Sequence, residues 1–438
     1  MEFRNDLDRS KKIIAVIGSG FGGLNFCHYF RSPNAEVVLV DRQNHHLFQP
    51  LLYQVATAAL SAPEIAQPMR SIFAGRPRLS IFMDTVKALD LVAHTVTIRG
   101  HAFRWDYLVL GVGGVTSYFN HPEWERHAHG LKTLADAGRI RNDILHALEH
   151  AESETDPVAL RRLLTFVIVG GGPTGVEMAG AIAELTKRVM RRDFRRIDSR
   201  QARIILVEGA ARLLMAFDPK LSARAKLDLE NLGVEVRLNC PVLNVREGEV
   251  QLGPETLESD NIIWAAGVKA APLLEKVPTP KDRAGRLLVE PDCSLPGFPY
   301  VFAVGDCASL KDAKGRVVPG VAPAAMQMGR HVAKLLSAEI DALAKNAPAP
   351  PRQPFVYVDK GAMATIGRSR AVVDVRGFHI TGFIAWIMWL FTHLLFLIGF
   401  RNRMAVFFQW LYAYATFRRG ARIIWTQKVD RLPDESPS

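Results

Sequence analysis

Apolar and polar positions fall into blocks along most of the chain, and two blocks share one plan. In residues 13–41, and again in 163–208, a short apolar run meets a cluster of glycines, a helical stretch follows, and a second apolar run ends in an acid. Short apolar runs bounded by turn residues read as buried strands, and the stretches between them as covering helices. The plan is therefore a duplicated strand–turn–helix–strand unit. Further strand-like runs occur at 95–98 and 107–110, the latter reaching Gly111, Gly113 and Gly114. Two more lie at 261–266, ending at Gly267, and at 300–304, ending at Gly305 and Asp306. These read as late parallel strands of two domains. Residues 344–354 crowd Pro348, Pro350, Pro351 and Pro354 together and read as a semi-rigid linker. A strand-like piece at 355–375, a long apolar run at 380–400 and a basic, aromatic tail then form a third unit.

The glycines carry the first chemistry. Gly18, Gly20 and Gly23 follow a strand and open a helix, the spacing that permits a tight turn, backbone approach to a pyrophosphate, and close packing of helix on strand. Asp41, at the end of the next strand, has the spacing of the acid that holds a ribose hydroxyl. Gly170, Gly172 and Gly175 repeat the three roles, with Glu208 as the matching acid. It lies farther along because the basic stretch 187–203 lengthens the helix and its return. A carboxylate there accepts from a 2′-hydroxyl and repels a 2′-phosphate, which favours NADH over NADPH; the nearby Arg203 and Arg212 read as solvated surface charge, with softening of that preference as the alternative. Two dinucleotide motifs in one chain make an electron-transfer design. Asp306 places a third carboxylate at a strand end, suited to polyol hydroxyls.

Length and charge narrow the setting. A chain of 438 residues favours two or three domains. Its net charge of +11 suits nucleic acid, anionic lipid or an acidic substrate equally, so the placement of the charge decides. The polar N-terminus lacks the apolar core of a secretory signal, so a cytoplasmic start is expected. Cys27, Cys240, Cys293 and Cys307 form no close pair and no zinc spacing, so they read as ordinary buried thiols. No metal is expected.

The GxGxxG, GGGPTGVE and GD elements together resemble the flavoprotein reductases with two dinucleotide-binding domains. With HHLFQPLLYQVA at 45–56, APAAMQMG at 322–329 and GAMATIGR at 361–368, the chain resembles the type II NADH:quinone oxidoreductases over nearly its whole length. The resemblance implies an α/β fold of two Rossmann-like dinucleotide-binding domains and a C-terminal membrane-associating helical segment. It implies FAD bound at residues 10–115 and 286–345, NADH at 116–285, and a membrane anchor at 355–438. FAD contacts would come from Gly18, Gly20, Phe21, Gly22, Gly23, Asp41, Gly305, Asp306, Met326 and Gln327, with Asp306 on the ribityl chain. NADH contacts would come from Gly170, Gly172, Thr174, Gly175, Glu177, Glu208 and Gly267. The catalytic pair would be Glu177, near nicotinamide and flavin, and Gln327, where quinone approaches. Pro323 stands where some members carry a second glutamine.

The implied reaction passes a hydride from NADH to FAD and two electrons to membrane quinone. No proton pumping is expected, since no multi-helix membrane domain is present. The rival is a soluble NAD(P)H reductase of a small redox protein, against which the apolar tail argues; a flavin-binding sensor is the non-enzymatic alternative. Disulfide and sulfide:quinone reductases need cysteine patterns that are missing here. Residues 380–400, with only Thr381, Thr392 and His393 clearly polar, reach about 30 Å as a helix, enough to span a bilayer. Yet Arg401, Arg403, Arg418, Arg419 and Arg422 follow the run, against the positive-inside preference. Interfacial helices on the cytoplasmic face are favoured, with Trp386, Trp389, Trp410, Tyr412 and Tyr414 at headgroup depth and the arginines on anionic lipid. His393 reads as a satisfied or interfacial histidine. Family likeness adds a possible homodimer.

Overall fold

The computed structural model describes residues 10–425 except 192, 313 and 417, so the N-terminal segment read for a signal lies almost wholly outside the described residues. The chain divides into two compact units, one of residues 1–47, 66–115 and 268–360, the other of 48–65, 116–267 and 361–438.

In the first unit, Lys12–Ile17 pairs in parallel with Ala35–Asp41 on one side and Tyr107–Leu110 on the other. Leu79–Met83 and Phe298–Ala303 extend the sheet in parallel, and Ser294–Leu295 closes an edge antiparallel. Ile14, Ala15, Val16, Leu39, Val40, Leu108, Val109 and Leu110 are all at 0% exposure, which is why these strands are continuous apolar runs rather than alternating ones. Helix Phe21–Tyr29 covers the sheet and packs against helix Ala322–Ala344. The two backbones nearly touch: a β-carbon at Gly329 would lie 2.1 Å from the Gly22 carbonyl oxygen.

The second unit repeats the layout. Thr165–Val169 is flanked in parallel by Arg203–Val207 and Asn261–Trp264, with Val234–Arg237 and His129–Gly130 at the edges. An antiparallel trio, Asn244–Arg246, Glu249–Leu252 and Glu255–Glu258, packs Val245, Val250, Leu252 and Leu257 against Val167, Ile205, Ile262 and Trp264 of that sheet. Helix Pro173–Glu184 ends sooner than the sequence suggests. One wide π turn, Leu185–Val189, follows it, and the basic stretch beyond is mostly irregular.

The C-terminal part belongs to this second unit. Strands Ala362–Gly367, Arg370–Val375 and Phe378–Thr381 form an antiparallel sheet that lies on helix Pro173–Glu184. Gly180 admits the Ile366 carbonyl there, since a β-carbon would sit 2.0 Å from its oxygen. The apolar run does not form one long helix. Leu397 turns extended and Gly399 takes a positive φ of 86°, splitting the run into helices Gly382–Phe396 and Phe400–Thr416. The Arg403 guanidinium donates to the Leu397 carbonyl at 2.7 Å across the break. The first helix has 15 residues, about 22 Å of rise, and no helix among the described residues is long and apolar enough to cross a membrane.

Two expectations for the tail are corrected. Trp386, Trp389 and Trp410 point into the protein at 7%, 0% and 5% exposure, because the helices present their tryptophans to helix Leu52–Ala56 and to each other. Arg419 is not free for lipid: its side chain is 9% exposed, donates to the Thr57 carbonyl at 2.8 Å and pairs with Glu184. Arg422 pairs with Asp193. Arg401 and Arg418 remain exposed. His393 is satisfied, as expected, by the Trp389 carbonyl at 2.7 Å. The cysteine expectation holds for Cys27, Cys293 and Cys307, which are buried, whereas Cys240 is partly exposed. Burial pushes the Cys27 thiol up to about 12 and that of Cys307 to about 11, so both stay protonated at neutral pH.

Two outcomes follow from this packing. Gly329→Ala forces two helix backbones apart and is expected to lower unfolding free energy by about 1–3 kcal/mol; an unchanged thermal midpoint would contradict the close approach. Maleimide labelling of native protein at neutral pH, read by mass spectrometry, is expected to add one adduct, at Cys240. Two or more adducts would show that the core opens.

Candidate functional site

The two glycine turns have the same geometry. Gly18 has φ of +95°, and a β-carbon there would lie 2.4 Å from the Gly111 carbonyl oxygen. One at Gly23 would lie 1.9 Å from the Gly18 oxygen, so the helix begins flush on the strand. In the second unit Gly170 has φ of +110° and faces Ala265 and Ala266, while a β-carbon at Gly175 would lie 1.8 Å from the Gly170 oxygen. The middle glycines behave differently. A β-carbon at Gly20 would meet only the Gly111 oxygen, at 3.8 Å, and one at Gly172 would meet nothing within 4 Å. Each is the N-cap of its helix and offers no side-chain cap, so first-turn N–H groups face open space at the positive end of the helix dipole. That is the donor set for a phosphate.

Each turn is braced by its acid. Asp41 accepts from the Ser19 backbone N–H at 2.6 Å and the Ser19 hydroxyl at 2.7 Å. Glu208 accepts from Gly171 N–H at 2.5 Å and Ala210 N–H at 2.7 Å. A carboxylate has about four acceptor positions, so both keep capacity for a ribose hydroxyl. The two cations thought to soften the nucleotide preference are engaged elsewhere. Arg203 forms a fork on Glu235 at 2.6 and 2.8 Å, and Arg212 donates to the Phe217 and Met215 carbonyls and to Ser222.

In the first unit, Phe21 lies edge-on to His46 at 5.0 Å, and Gly22 packs against Val304. Gly305, at φ +77°, turns the chain after strand Phe298–Ala303, and Asp306 follows it in a 3-10 turn. The Asp306 carboxylate accepts no hydrogen bond from the described residues. Met326 and Gln327 lie in the first turns of helix Ala322–Ala344, both half-buried. The Gln327 amide is paired at both ends with Val358, donating to its carbonyl at 3.0 Å and accepting from its N–H at 2.9 Å.

In the second unit, Thr174 is exposed on the first helical turn and Gly267 has φ of +72° beside Ser117 and Phe119. Glu177 is 9% exposed, accepts from the Thr365 N–H at 3.4 Å, and burial pushes its carboxyl up to about 8. It is therefore neutral at pH 7.

Sequence reasoning assigned no role to His46, although it quoted the string that contains it. The ring is 2% exposed; Nδ1 donates to the Ser19 carbonyl at 2.9 Å and Nε2 has no hydrogen-bond partner among the described residues. Burial lowers its proton affinity, so Nε2 is an acceptor awaiting a hydroxyl or N–H. An orphaned buried acceptor, an open Gly20 cradle and an unengaged Asp306 together fit a dinucleotide rich in hydroxyl groups.

Comparison with known proteins agrees with this geometry. The model of the pyridine nucleotide-disulphide oxidoreductase family matches residues 12–329, and that of the NDH2 C-terminal domain matches residues 360–419. The type II NADH:quinone oxidoreductase Ndh of Mycobacterium tuberculosis is 40% identical over 429 residues, 95% of this chain and 91% of the relative. NdhA of the same organism is 39% identical, covering 95% and 90%. Among solved structures, NDH2 from Plasmodium falciparum in complex with NADH superposes with a TM-score of 0.85 at 20% identity, over 95% of this chain and 100% of that one. The chain belongs to the pyridine nucleotide-disulphide oxidoreductase family and, within it, to the type II NADH:quinone oxidoreductases.

Proposed function

We propose that the chain is an FAD-dependent NADH:quinone oxidoreductase that oxidises NADH and reduces membrane quinone by two electrons, without pumping protons. The observation that carries this reading is one dinucleotide turn built twice, on two sheets, in a chain whose C-terminal helices keep an apolar face outward. FAD, when bound, supplies the hydride acceptor and the two-electron donor.

The first unit would hold FAD. Gly18, Gly20, Phe21, Gly22 and Gly23 present the helix N-terminus to the pyrophosphate, Asp41 takes the adenosine ribose, and Gly305 and Asp306 take the ribityl hydroxyls. Met326 and Gln327 line the end of the site that serves quinone; the Val358 backbone fixes the Gln327 amide in orientation. The second unit would hold NADH through Gly170, Gly172, Thr174, Gly175 and Gly267, with Glu208 on the ribose. Because Arg203 and Arg212 are already engaged, neither offsets the repulsion between Glu208 and a 2′-phosphate, and the preference for NADH is strict. Quinone reduction consumes two protons, and Glu177, neutral at pH 7, carries one of them.

Membrane attachment follows from the outer face of the C-terminal helices. Phe383, Ile384, Phe391, Leu395, Phe400, Phe408 and Leu411 are between 51% and 78% exposed, a concentration of exposed apolar side chains on two helices that suits an interaction site. With Arg401 and Arg418 exposed beside them, the helices suit an anionic bilayer surface at the cytoplasmic face. A homodimer through the same region completes the reading by family likeness.

Purified, FAD-loaded protein is expected to oxidise NADH with a soluble quinone analogue and to do so far faster than NADPH. Flavin reduction by NADH with no reoxidation by any quinone would overturn the acceptor. Glu208→Gln removes the charge while keeping the shape, and its ratio of kcat/KM for NADH over NADPH should fall about tenfold, or about 1.4 kcal/mol; an equal loss with both nucleotides would show that the charge does not select. Phe391→Asp with Phe408→Asp should abolish co-sedimentation with anionic vesicles while leaving turnover of the soluble quinone analogue. Undiminished vesicle binding would place the contact elsewhere.

A further inference from the structure

The basic stretch 187–203 has no part in either nucleotide turn. It leaves the π turn after helix Pro173–Glu184 and returns as strand Arg203–Val207. Its backbone is held in place. Glu152, on helix Leu134–Ser153, accepts from the N–H groups of Arg195, Arg196 and Ile197 at 3.0–3.1 Å, and the Ser199 hydroxyl donates to the Thr186 carbonyl at 2.7 Å. Met190 and Ser199 are buried. The loop is therefore anchored from within, and its long side chains point out.

Three of its cations are engaged. Lys187 donates to the Gly233 carbonyl at 2.7 Å, Arg200 forks on Asp198, and Arg203 forks on Glu235. Arg188, Arg191, Arg195 and Arg196 are exposed, and none of them forms an ion pair among the described residues. The acids close by are mostly taken: Glu152 by the backbone, Asp198 by Arg200, and Asp193 by Arg422. Four guanidinium groups thus stand together with little local charge to balance them.

Their position ties them to the C-terminal helices. A cleft of about 550 Å³ has Met190, Asp193 and Phe194 on one side and Arg419, Arg422 and Ile424 on the other, and the Arg422–Asp193 pair joins the two sides. Arg419 comes three residues after Thr416, the end of helix Phe400–Thr416, a reach of about 10 Å at most. Phe408 and Leu411 on that helix are each 57% exposed, and Arg418 is exposed at its exit.

We propose that Arg188, Arg191, Arg195 and Arg196 form a second, electrostatic contact with the membrane, binding the phosphates of anionic phospholipids beside the apolar contact of the C-terminal helices. The proposal rests on the membrane reading given above and adds a surface some two hundred residues earlier in the chain. Guanidinium forks match phosphate oxygens, and apolar insertion with a flanking basic patch is a pair of signals that holds a protein on a bilayer more firmly than either alone. A nucleic acid would use the arginines but not the phenylalanines and leucines next to them, so lipid fits the whole surface better.

The full, FAD-loaded protein is tested by co-sedimentation with vesicles of phosphatidylcholine alone and with vesicles about one third phosphatidylglycerol, at low and high salt. Wild type is expected to prefer the anionic vesicles, and salt to weaken that preference. With Arg188, Arg191, Arg195 and Arg196 all replaced by Gln, affinity for the anionic vesicles should fall about a hundredfold, at roughly fivefold for each arginine that reaches the surface. Binding to phosphatidylcholine and turnover of the soluble quinone analogue should not change. Undiminished anionic binding by the variant overturns the proposal and leaves the helix anchor standing; loss of duplex DNA binding in its place would make the patch a nucleic-acid surface. Wild type that binds neither vesicle overturns both readings. A nitrobenzoxadiazole label at Arg195→Cys, in a Cys240→Ser background, gives an answer that does not depend on folding of the fourfold variant. Its emission should brighten and shift to shorter wavelength on anionic vesicles, and unchanged emission with the protein bound would show that the loop stays off the surface and overturn the proposal.

Discussion

Backbone packed on backbone is the constraint from which both candidate sites follow. Gly23 against the Gly18 oxygen, and Gly175 against the Gly170 oxygen, let each helix start flush with the strand that feeds it. At that distance no side chain fits between strand and helix, and no side chain caps the helix either. The first-turn N–H groups are thus left facing open space. Orphaned donors at a helix N-terminus carry partial positive charge, and an anion satisfies them at little cost in reorganisation. The acids extend the same logic. Asp41 and Glu208 stiffen the turns through backbone N–H groups while retaining acceptor capacity toward a sugar.

The second unit also solves a problem of burial. Helices Gly382–Phe396 and Phe400–Thr416 turn their tryptophans inward and their phenylalanines and leucines outward. The inner face covers Tyr53 and Gln54 and removes water from around them. Low local dielectric then keeps Glu177 protonated, His393 neutral and Tyr53 unionised, and Arg419 is tolerated there because Thr57 and Glu184 receive its guanidinium. One pair of helices thereby has two unlike faces: one closes a dry protein interior and the other leaves apolar side chains exposed.

Much of this was legible along the chain because it is local. Gly18, Gly20 and Gly23 announce a turn and a helix start through their spacing alone, and 107–110 reads as a central strand since four apolar residues in a row leave no solvent face. Other features depended on partners distant in sequence. Arg203 and Arg212 looked like free cations beside the nucleotide site, but Glu235 and the carbonyls after Arg212 had claimed them. His46 lay within a recognised string, yet its orphaned nitrogen appears only once Ser19 is seen to occupy the other one. The break at 397–399 was hidden because Gly399 is a single small residue in an otherwise apolar run, and nothing nearby signals its positive φ.

The sequence by itself determined the two glycine turns, the acids that end the strands after them and several of the buried strands, since glycine spacing and uninterrupted apolar runs express sterics and burial over a few residues. Only the tertiary structure decided which face of the C-terminal helices meets protein and which meets solvent. Those helices are apolar on nearly all sides, so their own pattern names no preferred face. The choice falls to shape and hydrogen bonding at the partner surface, where Gln54 receives the Trp410 N–H and Trp389 stacks on His393 and lies edge-on to Tyr53.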